Sequence, residues 1–135
     1  MSRSIFVLMI SSFLSFNHLN STLTIPSEPS TVIEGVNSAV NHPEGVAFSP
    51  SGNILAVVNA LENYISFYSR IDNDSTKFET TPIAILTGPE TLMDYPHDIS
   101  YSPDGKKIAI ASRGSNNITL FDTDDQGLPI NTTPS

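Results

Sequence analysis

Apolar and polar positions alternate along the chain in short bursts, each closed by turn residues, and the same bursts return farther on. Val46 and Phe48 flank Ala47 as Ile99 and Tyr101 flank Ser100, the period of two expected of a strand with unlike faces. Ser49-Pro50-Ser51-Gly52 and Ser102-Pro103-Asp104-Gly105 follow. Proline presets one backbone angle of a tight turn and glycine accepts a positive one, so each tetrapeptide marks a hairpin. The runs 54–58 and 108–111 are rich in β-branched residues and read as buried second strands. Polar turns at Glu62-Asn63 and Ser115-Asn116 lead into third strands over 64–68 and 117–121, and 83–86 reads as a fourth. Residues 31–34 match that fourth strand and read as the last strand of a preceding, partial unit.

These bursts are one repeat. Residues 42–69, HPEGVAFSPSGNILAVVNALENYISFYS, recur without a gap as residues 95–122, YPHDISYSPDGKKIAIASRGSNNITLFD, with Pro43 meeting Pro96 after 53 positions. Strand-built repeats of roughly 40 to 50 residues mean propeller blades. The fold class is therefore all-β, with blades of four antiparallel strands in units of about 31–82 and 83–134. Thr80-Thr81-Pro82 returns as Thr132-Thr133-Pro134, which reads as the threshold of a further unit. Propellers close with roughly four to eight blades, so two blades point to a piece of a larger propeller or to self-association through open blade faces.

The pattern P-x-x-[apolar]-x-[FY]-S-P-D-G-[KR]-x-[apolar]-x-[apolar]-[apolar], then S-N-x-[apolar]-x-[apolar]-[FYVI], resembles the YVTN or lactonase-type β-propeller repeat. That repeat is related in architecture to WD-repeat propellers. The likeness covers 31–134; the Gly-His and Trp-Asp signatures of true WD repeats are absent and the chain has no tryptophan. The resemblance implies the fold with high specificity and the function with low specificity, because repeat propellers host unrelated activities. Two functions are compatible with it. The first is a binding or scaffold surface for a protein or small molecule. The alternative is a lactonase-like hydrolase of the 6-phosphogluconolactonase type, acting on a sugar lactone.

Candidate chemistry gathers at one end of the blades. Antiparallel strands put the loop before the first strand and the turn between second and third at the same end, with the Ser-Pro-x-Gly hairpins at the other. His42, Glu44, Asn59 and Glu62 from one unit and His97, Asp98, Arg113 and Asn116 from the next share the first end. The stretch Ser112-Arg113-Gly114-Ser115-Asn116-Asn117-Ile118 resembles an S-N-R-G-x-x-S-I stretch of lactonase-type propellers, with the asparagine before the arginine missing. On that likeness His97 is the candidate water-activating residue, and Arg113, Asp98 and Glu44 are candidates for substrate binding. Asp122-x-Asp124-Asp125-x-Gly127 has the opening of a calcium loop, but Gln126 stands at its fifth position and Thr133 at its twelfth, where a bidentate glutamate is needed. It reads as a connecting loop, and neither a metal nor a cofactor is expected.

Six Lys and Arg against 14 Asp and Glu give a net charge of -8, which opposes binding to a phosphate backbone. With no cysteine, a disulfide framework is excluded. Arg3 followed by the apolar run 5–16 is too short to span a bilayer and has the dimensions of a signal-peptide core. Residues 1–24 are therefore expected to act as a leader, placing the protein outside the cell or in the periplasm. Deleting residues 1–16 should then retain the product in the cell; unchanged secretion of the shortened form would overturn the leader.

Overall fold

The computed structural model describes residues 28–72 and 74–135. Among these the order of elements is β1 Pro43–Phe48, β2 Ile54–Asn59, β3 Tyr64–Ile71, β4 Asp74–Phe78, β5 Ala84–Leu86, a 3-10 turn Pro89–Thr91, β6 Pro96–Tyr101, β7 Lys107–Ser112 and β8 Asn117–Asp122. All pairs are antiparallel. One sheet runs β1-β2-β3 with β5 on the outer side of β3, and the other runs β6-β7-β8. The leader run lies outside the described residues.

Each sheet is a blade, and the repeat is visible in its backbone. The six non-glycine residues with positive φ fall into three pairs 53 positions apart: Ala39 with Leu92, His42 with Tyr95, Asn63 with Asn116. Side chains outside glycine rarely adopt this region, so independent hairpins would not place such residues in matching positions. Gly52 (φ 72°) and Gly105 (φ 70°) form a further pair, supplying the left-handed residue that the Ser-Pro-x-Gly turns require. In those turns Ser49 Oγ accepts from Ile54 N and Ser102 Oγ accepts from Lys107 N. The serines close the hairpins.

The strand alternation divides each blade into two apolar faces. Ala56 and Val58 of β2 and Ile65 and Phe67 of β3 face the second blade, where they meet Ile99, Ile108, Ile110 and Phe121, with Leu86 and Met93 completing the cluster. Burying a side chain of this kind contributes roughly 1.5–3 kcal/mol, so this seam holds the two blades together. At its inner margin β1 and β6 come so close that a Cβ on Gly45 would lie 2.9 Å from His97 O and 3.0 Å from Asp98 Cα. Tyr101 also lies in the seam and donates its hydroxyl to Gly127 O at 2.8 Å; burial, then the nearby Asp124, push its pKa upward. On the opposite face of the first blade Val57, Tyr68 and Phe78 form a second cluster, with Ile33 and Val40 packed on it.

Two segments differ from the sequence reading. The connection after the third strand folds back as β4, pairing Arg70 with Phe78 and Ile71 with Asp74. Arg70 stacks over the Phe78 ring at 5.1 Å and donates from Nε to Gly52 O at 2.8 Å, bonds that fasten this extension to the β1–β2 turn. The second blade keeps a shorter version, a bridge between Thr123 and Pro129. Residues 31–34 carry no strand, because a strand is defined by its ladder and among the described residues they meet the first blade through side chains instead: Thr31 Oγ1 accepts from Phe78 N at 3.2 Å and Ile33 packs on the Val57, Tyr68 and Phe78 cluster. The 122–127 stretch forms a turn in which Asp124 Oδ1 accepts from Gln126 N and Leu128 N.

Asp104 caps the second Ser-Pro-x-Gly turn. Its carboxylate accepts from Ser102 Oγ at 2.6 Å and from Lys106 N at 3.1 Å, and these bonds, the serine first, hold its pKa below the usual carboxylate value. A carboxyl lowered in the folded state contributes stability above the unfolded pKa that disappears as pH falls through the folded one. Asp104→Asn should therefore lower the urea midpoint at neutral pH, and the difference from the parent should vanish well below pH 3.8. A difference independent of pH would refute this role.

Candidate functional site

The approach to each inner strand is a repeated, built loop. Gly35 O accepts from Ser38 N and Ser38 Oγ, and Gly88 O accepts in the same way from Thr91 N and Thr91 Oγ1. Ser38 and Thr91 are buried, so the hydroxyl fixes a loop that then turns outward through the positive φ of His42 or Tyr95. His42 O accepts from Ala60 N, and Tyr95 O accepts from Arg113 N. Each loop is thereby tied to the β2–β3 type of turn in its own blade. Asn63 Oδ1, accepting from Tyr95 N at 2.7 Å, ties the two blades together at this end.

Immediately after the loop each inner strand carries a bulge. The register slips between Pro43 and Gly45 in β1 and between Pro96 and Asp98 in β6, leaving Glu44 and His97 as the unpaired residues. A bulge re-aims the side chain it carries, and bulges are common beside functional sites. Here the two re-aimed side chains meet: His97 Nε2 lies 3.3 Å from Glu44 Oε2, while the Tyr95 hydroxyl donates to Glu44 Oε1 at 3.1 Å. Arg113 completes the group, its Cζ 5.7 Å from the centroid of the Tyr95 ring, within cation–π range. A shallow depression of about 490 Å³ opens there, lined by Asp94, Tyr95, Arg113 and Gly114. Gly114 is fitted to it: a Cβ would lie 2.5 Å from Asp94 Oδ2.

Of the four residues expected from sequence, the structure brings together Glu44, His97 and, through Tyr95, Arg113. Asp98 goes elsewhere. Beyond the bulge, alternation resumes, and Asp98 lines a groove with Ser100, Ala109, Ala111 and Ile118 on the far face of the second blade, its Oδ1 accepting from Ile99 N. In the first unit His42 Nδ1 lies 2.8 Å from Asn41 Oδ1, and Asn41 Nδ2 donates to Glu62 Oε1 at 2.9 Å. Tyr95 and Asp94 were not singled out in the sequence. Their signal was present in the alignment, which sets them on His42 and Asn41, but a tyrosine and an aspartate before a proline read as turn residues.

The missing asparagine of the S-N-R-G-like stretch has a structural meaning. In the first blade Asn59 is fully buried, accepts from Asn41 N at 2.7 Å, and donates from Nδ2 to Val57 O and Ser66 Oγ at 3.2 and 3.0 Å. The 53-residue offset sets Asn59 on Ser112 and Ser66 on Thr119. Ser112 Oγ and Thr119 Oγ1 are buried among the described residues without a hydrogen-bond partner. The serine is too short for the bridge that the asparagine makes, directly beneath the Arg113 turn.

A chain of repeated antiparallel blades with inner strands side by side and built loops gathered at one end is a β-propeller of the repeat type. The model of the lactonase, 7-bladed β-propeller family matches residues 42–133, and the chain belongs to that family. Two solved structures share the fold. One is a candidate 6-phosphogluconolactonase from Bacteroides fragilis, 22% identical, with a TM-score of 0.56 over 73% of this chain and 26% of the other. The second is a functionally unknown protein from Desulfotomaculum acetoxidans, 19% identical, with a TM-score of 0.54 over 68% of this chain and 26% of the other. The chain thus spans about a quarter of the length of either structure. No curated protein matches the sequence.

Ser112→Asn should rebuild the Asn59 network in the second blade, with Nδ2 reaching Thr119 Oγ1 and Oδ1 reaching the backbone of the 88–96 loop. A net hydrogen bond contributes about 1 kcal/mol, so the unfolding free energy should rise by that order and the denaturation midpoint with it, and Asn59→Ser should lower both. A Ser112→Asn chain no more stable than the parent would show that the position differs from Asn59 in more than reach.

Proposed function

We propose that Glu44, Tyr95, His97 and Arg113 are this chain's share of a ligand-binding surface in a lactonase-type propeller, one that takes a small anionic or hydroxyl-rich molecule. The reading is carried by the Glu44 carboxylate, which two side chains of the neighbouring blade reach at 3.1 and 3.3 Å. Arg113, which makes no ion pair among the described residues, suits a carboxylate or phosphate beside such a group, since a guanidinium offers two parallel donors. Membership in the lactonase family and the apolar leader run support the same picture: an exported protein whose loops at one end of the blades meet the ligand.

The His97–Glu44 contact favours a second reading, hydrolysis of a sugar lactone. With Nε2–H donated to Glu44, Nδ1 keeps its lone pair and can accept a proton from water. The water oxygen bonds to the lactone carbonyl carbon, the carbon–ring-oxygen bond breaks, and the imidazolium returns its proton to the departing ring oxygen. The product is the open hydroxy acid, its carboxylate or phosphate held by Arg113.

Calorimetric titration of the full chain with 6-phosphogluconate, paired with hydrolysis of the corresponding lactone, tests both readings. Arg113→Lys should weaken binding about tenfold or more, the equivalent of about 1.4 kcal/mol, because it loses the planar fork. His97→Ala should leave binding nearly unchanged and slow hydrolysis by about 10²- to 10⁴-fold. Absence of saturable binding defeats the binding surface; binding without hydrolysis above buffer defeats the enzyme alone.

A further inference from the structure

At the opposite end of the blades from Glu44 and His97, beside the Ser-Pro-x-Gly turns, the two blades leave a second cleft between them. It encloses about 370 Å³, with Asn53 and Arg70 of the first blade on one side, Asp125 and Gln126 of the second on the other, and Ile54 and Ile83 as an apolar wall. Small-molecule pockets have this size. Both walls belong to blades that pack on each other within this chain, so the cleft is formed by the seam itself.

Each wall is held in place by bonds of its own. Arg70 donates from Nε and Nη2 to Gly52 O at 2.8 and 2.6 Å and stacks on Phe78. Thr123, its counterpart 53 positions on, meets the same need with a short side chain, donating from Oγ1 to Gly105 O at 2.5 Å. A threonine therefore suffices for the scaffold, and the arginine adds a guanidinium at the cleft. Across from it the 124–127 loop is seated on the first blade: Gly127 O accepts from the Tyr101 hydroxyl at 2.8 Å, Asp124 Oδ1 accepts from Gln126 N and Leu128 N, and a Cβ on Gly127 would lie 3.0 Å from Ser49 Cβ. Among the described residues the side chains of Asn53, Asp125 and Gln126 make no hydrogen bond or ion pair. A carboxylate, two carboxamides and a guanidinium, all planar and all on fixed backbone, thus line one cleft.

Their charges limit what fits. Arg70 opposes a free cation, Asp72 and Asp125 oppose a free anion, and no cluster of acids and histidines among the described residues could hold a metal ion. A hydroxyl both donates and accepts, so adjacent hydroxyls on one ring can donate to carboxylate and amide oxygens while accepting from guanidinium and amide N–H groups. The C–H face of such a ring suits the apolar wall at Ile83. We infer that this cleft binds an uncharged saccharide unit, with Arg70 and Asp125 as the two sides of a clamp and Asn53 and Gln126 reading neighbouring hydroxyls. The site is separate from the Arg113 surface and stands whether or not that surface takes a ligand.

Titration of the isotope-labelled full chain with glucose, galactose, cellobiose and lactose, followed by amide chemical shifts, tests this. At least one sugar should give saturable shifts at 51–54, 69–72 and 124–127 and none at 94–97 or 113–114. Arg70→Thr keeps a donor for Gly52 O, as Thr123 does for Gly105 O, and removes the guanidinium; Asp125→Asn removes the carboxylate. Each should weaken sugar binding about tenfold or more, the effect of losing a hydrogen bond to a charged group, while Arg113→Lys leaves it unchanged. The proposal is overturned by the absence of saturable shifts with every sugar, by binding insensitive to both substitutions, or by inorganic phosphate or ethylammonium occupying the cleft more tightly than any sugar. If Arg70→Thr loses the far-ultraviolet β signal, Asp125→Asn and Gln126→Ala, whose side chains hold nothing in the fold, carry the same test.

Discussion

The seam between the two blades is the contact on which the rest depends. Neither sheet has an interior of its own, so β2 and β3 become buried by meeting β6, β7 and β8. The mixture of sizes is what allows it. Gly45, Ala47 and Ala56 on one side admit Ile99, Ile108 and Phe121 from the other, and close packing of unlike shapes makes an interior dense. Because β1 and β6 approach to near backbone contact, the loops that precede them are drawn together as well. The candidate site is a consequence of that approach.

Repetition and departure divide the labour. What repeats is scaffold: the positive-φ triplets, the hydroxyl-tied approach loops, the Ser-Pro-x-Gly turns and the bulges after Pro43 and Pro96. What departs is chemistry. At the bulge position one blade offers a glutamate and the other a histidine; before the proline one offers a histidine and the other a tyrosine; on the third-strand turn an alanine faces an arginine. These exchanges leave the strands beneath undisturbed, and the lactonase family correspondingly defines an architecture.

The departure at Ser112 bears on both. The Asn59 network joins an approach loop, two strands and a turn through one amide, whereas the second blade lacks that amide below the residues that carry its charge. Buried hydroxyls without partners carry a desolvation cost, and this one lies under the Arg113 turn. The second blade therefore lacks, beneath the Arg113 turn, a bridge that the first blade has.

Much of the fold was legible in the sequence. The period of two, the turn tetrapeptides and the 53-residue repeat determined which residues form strands, that the strands are antiparallel, and that Glu44, His97 and Arg113 emerge at one end, because all of these follow from local geometry and from matching one unit to the other. The tertiary structure alone decided which neighbours meet. Bulges at Glu44 and His97 turn those two side chains toward each other and return Asp98 to the alternation that carries it to the opposite face; a slip of one residue in a strand reverses every side chain after it, and nothing local announces the slip. Tyr95 enters the site through a contact with a residue 51 positions earlier in the chain, and β4 exists because Arg70 finds Phe78 and Gly52. Such contacts depend on how two blades seat against each other, a relation between distant surfaces that pattern along a chain does not encode.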